Sequence, residues 1–305
     1  MTHSPDPQPW SKTLTRKRAI SEDGTGISYQ VMGEGDKVLL LANGLGGRLY
    51  AWEPIVNACW RDYRLVTWDY RGLFDSDTPS HPKRLAINNH AEDGLAILRA
   101  EGVRRAVLMG WSMGVQVSLE LAATAPELVG GLVLLNGTYG QVLGTGFQPV
   151  FSVPFLPKRL HAFLEWLQRH PNASSRVAAV TRIAELPTSW VLALTSGARS
   201  AEFRAIIRQY FGDVLGPSFQ NFLRLFQELD AHSVYHLLPG IDAPALVISG
   251  ALDPLTPAYQ SREIARRLPH AEHLALFRAS HFALMERPQV VLPAIDRFLQ
   301  EKAQW

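Results

Sequence analysis

Ser112 stands between two glycines, in Gly110-Trp111-Ser112-Met113-Gly114. Directly before it, Arg105-Ala106-Val107-Leu108-Met109 is a short apolar run with the look of a strand. Directly after it, Val115, Leu119 and Ala122 are apolar at helical spacing. A strand that turns at once into a helix leaves no room for side chains beside the turn, which explains glycine at 110 and 114. The serine then projects from the turn with a helix N-terminus behind it, placed to act as a nucleophile. A serine that only caps a helix is the plainer reading of these five residues. The strand before and the helix after weigh against it.

A serine hydroxyl is a poor nucleophile unless a base takes its proton, an acid orients that base, and donors meet the developing oxyanion. Each can be sought at the end of a strand. Asp253, in Gly250-Ala251-Leu252-Asp253-Pro254, follows the apolar run Leu246-Val247-Ile248-Ser249. A carboxylate at the C-terminal edge of a parallel sheet points into the crevice where ligands bind, so Asp253 is the candidate acid. His281, in Arg278-Ala279-Ser280-His281-Phe282, follows the last strand-like run and is the candidate base. Nine other histidines compete, and none follows a strand in the final strand-helix unit. His270 and His273 read as surface residues, while His232 and His236 could line a pocket. One oxyanion donor would be the N–H of Met113, the residue after the nucleophile. The second would come from Asn43-Gly44-Leu45-Gly46-Gly47, where glycines let the backbone approach a ligand, and Leu45 is the donor named. This chemistry calls for no cofactor and no metal.

The elements that must position these groups alternate along the chain. Residues 14–31 read as a hairpin about Glu22-Asp23-Gly24-Thr25-Gly26. Strands are expected at 37–42, 64–69, 105–109, 131–136, 245–250 and 271–277. Helices are expected near 88–100, 113–125, 257–268 and 288–302, the third starting with Thr256 as N-cap and Pro257 in the first turn. Strands apolar on both faces, alternating with helices, predict a mostly parallel α/β sheet covered on both sides.

That alternation stops between 139 and 238, where only helix-like segments occur, at 159–169, 174–185, 188–197, 200–211 and 218–229. Residues 14–138 and 239–305 therefore read as a core, 139–238 as an inserted helical cap, and 1–13 as a flexible N-terminal segment. Nine of the chain's 13 phenylalanines fall in the insertion, among them Phe147, Phe151, Phe203, Phe219, Phe222 and Phe226. They could form the cap's own core, or an apolar underside facing a substrate.

Composition narrows the remaining classes. The 305 residues are 47% hydrophobic and 19% charged, with 30 basic and 28 acidic side chains. No basic cluster exceeds Thr15-Arg16-Lys17-Arg18 or Arg266-Arg267, so no nucleic-acid partner is expected. Cys59 is the sole cysteine and cannot form an internal disulfide, which suits a reducing compartment. The polar, proline-rich start lacks a signal peptide's basic and apolar regions. No uninterrupted apolar run approaches the ~18 residues of a membrane helix. The expectation is a cytoplasmic protein without stable membrane insertion, its oligomeric state open.

Over roughly residues 14–300 the chain resembles the α/β-hydrolase superfamily, in its lidded serine esterase and lipase branch. The matching pieces are Asn43 to Gly47, Trp68-Asp69-Tyr70-Arg71-Gly72-Leu73-Phe74-Asp75-Ser76, Gly110 to Gly114, Gly250 to Pro254, and Ser280-His281-Phe282. The order Ser, Asp, His is the family's. The segment at 69–76 resembles a loop that buttresses the site without doing chemistry. Three departures stand out. Asn43-Gly44 replaces the usual His-Gly, Phe74 replaces a glycine, and Asn136 occupies a place where some relatives carry their acid.

The resemblance implies hydrolysis of a small-molecule carboxylic ester with a lipophilic acyl or alcohol group, as in a carboxylesterase or monoacylglycerol-type lipase. Pocket candidates are Asn43, Gly44, Trp111, Phe219, Phe222 and Phe282. A cofactor-free haloperoxidase or perhydrolase, a C–C bond hydrolase and a thioesterase remain alternatives. A non-catalytic binding protein on the same fold is disfavoured because every expected position is filled.

Overall fold

The computed structural model describes residues 8–146, 155–170, 172–174, 176–177, 201–216 and 218–305. Eight strands form one sheet: β1 Thr15–Ile20, β2 Gly26–Met32, β3 Lys37–Ala42, β4 Tyr63–Trp68, β5 Ala106–Trp111, β6 Val129–Leu135, β7 Ala245–Gly250 and β8 Ala271–Leu276. Their spatial order is β1-β2-β4-β3-β5-β6-β7-β8. β1 and β2 form the expected antiparallel hairpin, and β2 also runs antiparallel to β4. From β4 to β8 every pairing is parallel.

The unbroken apolar runs of the central strands follow from burial on both faces. Successive side chains point to opposite sides. Leu40, Leu108, Leu132 and Val247 thus join one core cluster, with Ile97, Leu119 and Ile264 from helices α2 Ile87–Ala100, α3 Met113–Thr124 and a later helix, Ala258–Arg267. Leu39, Val107, Val133 and Leu246 join the other, with Ile55 of α1 Glu53–Cys59 and Val291 of a C-terminal helix, Pro288–Glu301. The exposed edge strand β1 carries Arg16, Lys17 and Arg18 on open positions, where charge discourages pairing with another chain.

Between β6 and β7 the longer described helices are α4 Leu156–Arg169, α5 Ala201–Val214 and α6 Phe219–Ala231, followed by α7 Ala258–Arg267 and α8 Pro288–Glu301 in the C-terminal part; single-turn helices lie at Val142–Thr145 and Ala283–Glu286. The expected helices at 188–197 and most of 174–185, with Phe147 and Phe151, lie outside the described residues. Leu164, Leu167 and Leu223 form a small core of their own, against which Phe219, Phe222 and Phe226 pack. Asn221 Nδ2 donates to the Gly72 carbonyl at 2.8 Å, tying α6 to the loop after β4. Among the described residues, no helix is long and apolar enough to cross a membrane.

Three local expectations are corrected. Residues 8–13 are not a loose tip: Pro9–Lys12 forms a 3-10 turn, and buried Trp10 donates to Asn57 Oδ1 at 2.8 Å. Thr256 does not cap α7, whose N-cap is Pro257; the Thr256 hydroxyl is turned inward onto Asn136 and Asp253. His273 is half-buried rather than a surface residue, its Nε2 2.9 Å from Ser249 Oγ across the β7–β8 pair.

Candidate active site

β5 ends at Trp111 and α3 begins at Met113, so the whole reversal falls on Ser112. Its backbone sits at φ 56° and ψ −115°, a conformation rare for a residue with a side chain. Both flanking glycines are required sterically. A Cβ at Gly110 would lie 2.3 Å from the Gly114 carbonyl oxygen, and one at Gly114 would lie 2.0 Å from that of Ala42. The Ser112 N–H donates to Leu135 O at 3.0 Å, which anchors the turn to the end of β6.

The loops after β7 and β8 bring the other two groups to this turn. His281 Nε2 lies 2.9 Å from Ser112 Oγ, and His281 Nδ1 lies 2.9 Å from Asp253 Oδ2. Asp253 and His281 are both buried. Asp253 is held from five directions: Oδ1 accepts the N–H groups of Leu255 at 2.9 Å and Thr256 at 3.0 Å. Oδ2 accepts the Thr256 hydroxyl at 2.8 Å and Asn136 Nδ2 at 2.9 Å, besides facing His281. Burial by itself would push this carboxyl's pKa up. The neighbouring His281, with hydrogen bonds from it, Thr256 and Asn136, outweighs that penalty and holds it below the usual carboxylate value.

Asn136 and Thr256 carry no motif signal. Asn136 sits just past β6 in left-handed backbone, φ 46°, and its Nδ2 also donates to the Ser280 carbonyl at 3.0 Å. Its place after a strand end, where some relatives carry their acid, was the clue to it. Trp111 Nε1 donates to the His281 carbonyl at 3.0 Å, so the residue beside Ser112 also fixes the backbone of His281. Glu286 accepts the Ser280 N–H at 2.6 Å and its hydroxyl, bracing the same loop from the other side.

The glycine loop after β3 forms a turn closed by Gly47 N–H to the Gly44 carbonyl, 2.9 Å. Gly46 has φ +73° while Leu45 is on the negative side, the pattern of a type II turn with glycine at its third position. Asn43 occupies the place of the usual histidine and is fully used. Its Nδ2 donates to the Trp68 carbonyl at 2.6 Å and its Oδ1 accepts Trp52 Nε1 at 2.8 Å. Gly44 and Gly47 lie against the Trp111 ring, where a Cβ would come within 2.7 and 2.8 Å. Met113 is the first residue of α3, where backbone N–H groups have no partner within the helix.

Trp111, His281, Phe282, Phe203 and Tyr210 form one aromatic group beside the histidine, with Trp111–Phe282 centroids 5.5 Å apart and Phe203–Phe282 5.7 Å. Of the phenylalanine candidates, Phe222 reaches the glycine loop at Gly46, whereas Phe219 stacks on Phe222 against the small core of Leu164, Leu167 and Leu223. His232 pairs with Glu120 at 3.0 Å and His236 is exposed. Behind the site, Arg71 is fully buried and donates to Asp93, Asp23, Ser21 and the Arg84 carbonyl, satisfying the buttressing loop. Phe74 adopts φ 52°, keeping the backbone conformation for which glycine is the ordinary choice.

A parallel sheet carrying a strained serine turn and a His–Asp pair at its C-terminal edge defines a hydrolase of the α/β type. The chain belongs to the alpha/beta hydrolase fold family, whose model matches residues 37–288. It is 30% identical over 272 residues to the poly(3-hydroxyalkanoate) depolymerase of Ectopseudomonas oleovorans, covering 87% of this chain and 85% of that one. It is also 30% identical over 251 residues to a protein of Pseudomonas savastanoi pv. phaseolicola named provisionally as the carbamate hydrolase RutD, covering 82% of this chain and 89% of that one. Among solved structures it is similar to the enol-lactonase of Burkholderia xenovorans LB400, with TM-score 0.73, 26% identity, and coverage of 93% and 100%.

Proposed function

We propose that this hydrolase cleaves carboxylic esters through an acyl-enzyme on Ser112, acting on substrates with a lipophilic acyl or alcohol group. The observation that carries the reading is the unbroken relay Ser112 Oγ–His281 Nε2–His281 Nδ1–Asp253 Oδ2, with both links at 2.9 Å. His281 takes the hydroxyl proton as Ser112 attacks the carbonyl carbon, and Asp253 holds the imidazole in the tautomer that leaves Nε2 free to accept. The N–H groups of Leu45 and Met113 receive the oxyanion. Collapse of the tetrahedral intermediate expels the alcohol, to which His281 returns the proton. Water, deprotonated by the same histidine, then releases the acid and frees Ser112.

The aromatic group of Trp111, Phe203, Tyr210 and Phe282 supports a lipophilic substrate, because rings beside a reacting centre offer large apolar area. Residues 139–238 act as a cap on the core of 14–138 and 239–305. Relatives named for a polyhydroxyalkanoate, a carbamate and an enol-lactone agree with attack at a carbonyl carbon bearing a leaving heteroatom. The test is covalent labelling by a fluorophosphonate together with turnover of p-nitrophenyl esters. Ser112→Ala should abolish labelling and lower kcat by about 10⁴–10⁶, and adding His281→Ala should cost nothing more, since the two act as one unit. Turnover within tenfold of the parent would remove Ser112 from the chemistry.

A further inference from the structure

The cap touches the oxyanion loop at three points. Tyr210 Oη donates to the Leu45 carbonyl at 2.9 Å. A Cβ on Gly46 would lie 2.7 Å from Val214 Cγ2 and 3.2 Å from Phe222 Cε2, so α5 and α6 close on the loop with no spare space. Tyr210 is itself held between rings, edge-on to Trp111 and to Phe282 with centroids 6.3 Å away in both cases.

The bonded carbonyl is the informative one. In the turn from Gly44 to Gly47 the central peptide is Leu45–Gly46. Type I and type II turns differ mainly by a half-rotation of that central peptide. Gly46, having no Cβ, tolerates both states, so glycine allows the type II form without enforcing it. The rotation would swing the Leu45 carbonyl away from Tyr210 and reverse the dipole of the peptide that immediately follows the Leu45 N–H. A donor aimed at a developing oxyanion stabilises it only if its surroundings are already set before charge appears.

Resting on the hydrolase reading above, we propose that Tyr210 is a positioning residue: its hydroxyl locks the Leu45–Gly46 peptide, so that docking of the cap sets the oxyanion hole. Its ring forms part of the substrate wall, while its hydroxyl acts on the transition state through Leu45. Cap seating and catalytic competence are thereby linked through one hydrogen bond, and a cap displaced from the loop leaves the triad intact but the hole unset.

Tyr210→Phe keeps the ring and removes only the donor. The expected result is a fall in kcat of about tenfold with KM little changed, because the lost bond matters once negative charge forms. Two inhibitors separate this from damage to packing. 1,1,1-Trifluorodecan-2-one, which adds to the serine and places an oxyanion in the hole, should bind about tenfold more weakly. Decan-2-one, which only fills the pocket, should bind within about twofold of the parent. Replacing Tyr210 with p-aminophenylalanine restores a donor at the same place and should recover the parent rate. Equal weakening of both ketones, a change confined to KM, or failure of the amino analogue to outperform Phe would each overturn the proposal. If Tyr210→Phe does not fold, the amino analogue decides: parent-like kcat and trifluoroketone affinity support the lock, and a tenfold loss of both refutes it. Fluorophosphonate labelling of Ser112 in the unaltered chain tests the underlying hydrolase reading on its own.

Discussion

Replacing Asp253 with asparagine tests the relay at the point where the structure makes the sharpest demand. Both carboxylate oxygens accept only from donors, so an amide NH₂ must face donors in either orientation. With nitrogen in the place of Oδ1 it meets the N–H groups of Leu255 and Thr256, which are backbone and cannot turn. Two buried donors left unmet cost about 2–6 kcal/mol, at about 1–3 each. With nitrogen in the place of Oδ2 it meets Asn136 Nδ2, the Thr256 hydroxyl and His281 Nδ1. The hydroxyl can rotate toward the Asn136 carbonyl, already 2.7 Å away, and the imidazole can move its proton to Nε2. Only the Asn136 donor remains opposed, at about 1–3 kcal/mol. The second orientation therefore wins, and it leaves His281 with a proton on the nitrogen that should accept one from Ser112.

The variant should stay folded and lose about 10⁴ in kcat, about 5.4 kcal/mol of transition-state stabilisation. Ester turnover and the rate of fluorophosphonate labelling should fall together. Stability carries a second signature. The Asp253 carboxyl is held below its ordinary pKa, so its contribution is complete above the unfolded value of about 3.9 and is lost as pH falls through the lower folded value. The stability gap between parent and variant should therefore be constant at neutral pH and shrink in acid. A folded variant with turnover within tenfold of the parent would mean that Asp253 does not orient the base.

Two more outcomes are expected. Rates on p-nitrophenyl esters should rise from acetate to chains of roughly 6–10 carbons, since each buried methylene adds about 0.8 kcal/mol, and Phe203→Ala should flatten that rise while sparing acetate; a profile of the unaltered chain that peaks at acetate would show the rings to be packing alone. Arg71→Ala leaves Asp93 buried without its partner and should cost about 3–5 kcal/mol in urea unfolding while the folded fraction keeps its kcat; a loss under 1 kcal/mol would show that water or another group replaces the guanidinium.

Much of the fold was legible because its signals are local. The central strands announce themselves as apolar runs, since they are buried on both faces. The serine turn does so through glycines that nothing larger can replace at 110 and 114. Misreadings arose where a side chain answers to a distant partner. Thr256 has the type and place of a helix cap, yet Asn136 and Asp253 claim its hydroxyl. Trp10 lies in a proline-rich start, yet it finds Asn57. Phe219 and Phe222 are nearly adjacent in α6 and both pack on the small core of Leu164, Leu167 and Leu223, and only packing shows that Phe222 also reaches Gly46.

By itself the sequence determined which residue types stand at the strand ends, in which order, and where the backbone must turn too sharply for a side chain. These are matters of sterics and periodicity over a few residues. Tertiary structure alone decided that Asn136 would donate to Asp253, 117 positions away, that Trp111 would hold the carbonyl of His281, and that Tyr210 of α5 would bond the Leu45 carbonyl. The reason is the strand order. β6 lies between β5 and β7 only in the assembled sheet, so the turns that follow these strands become neighbours through register rather than through spacing in the chain.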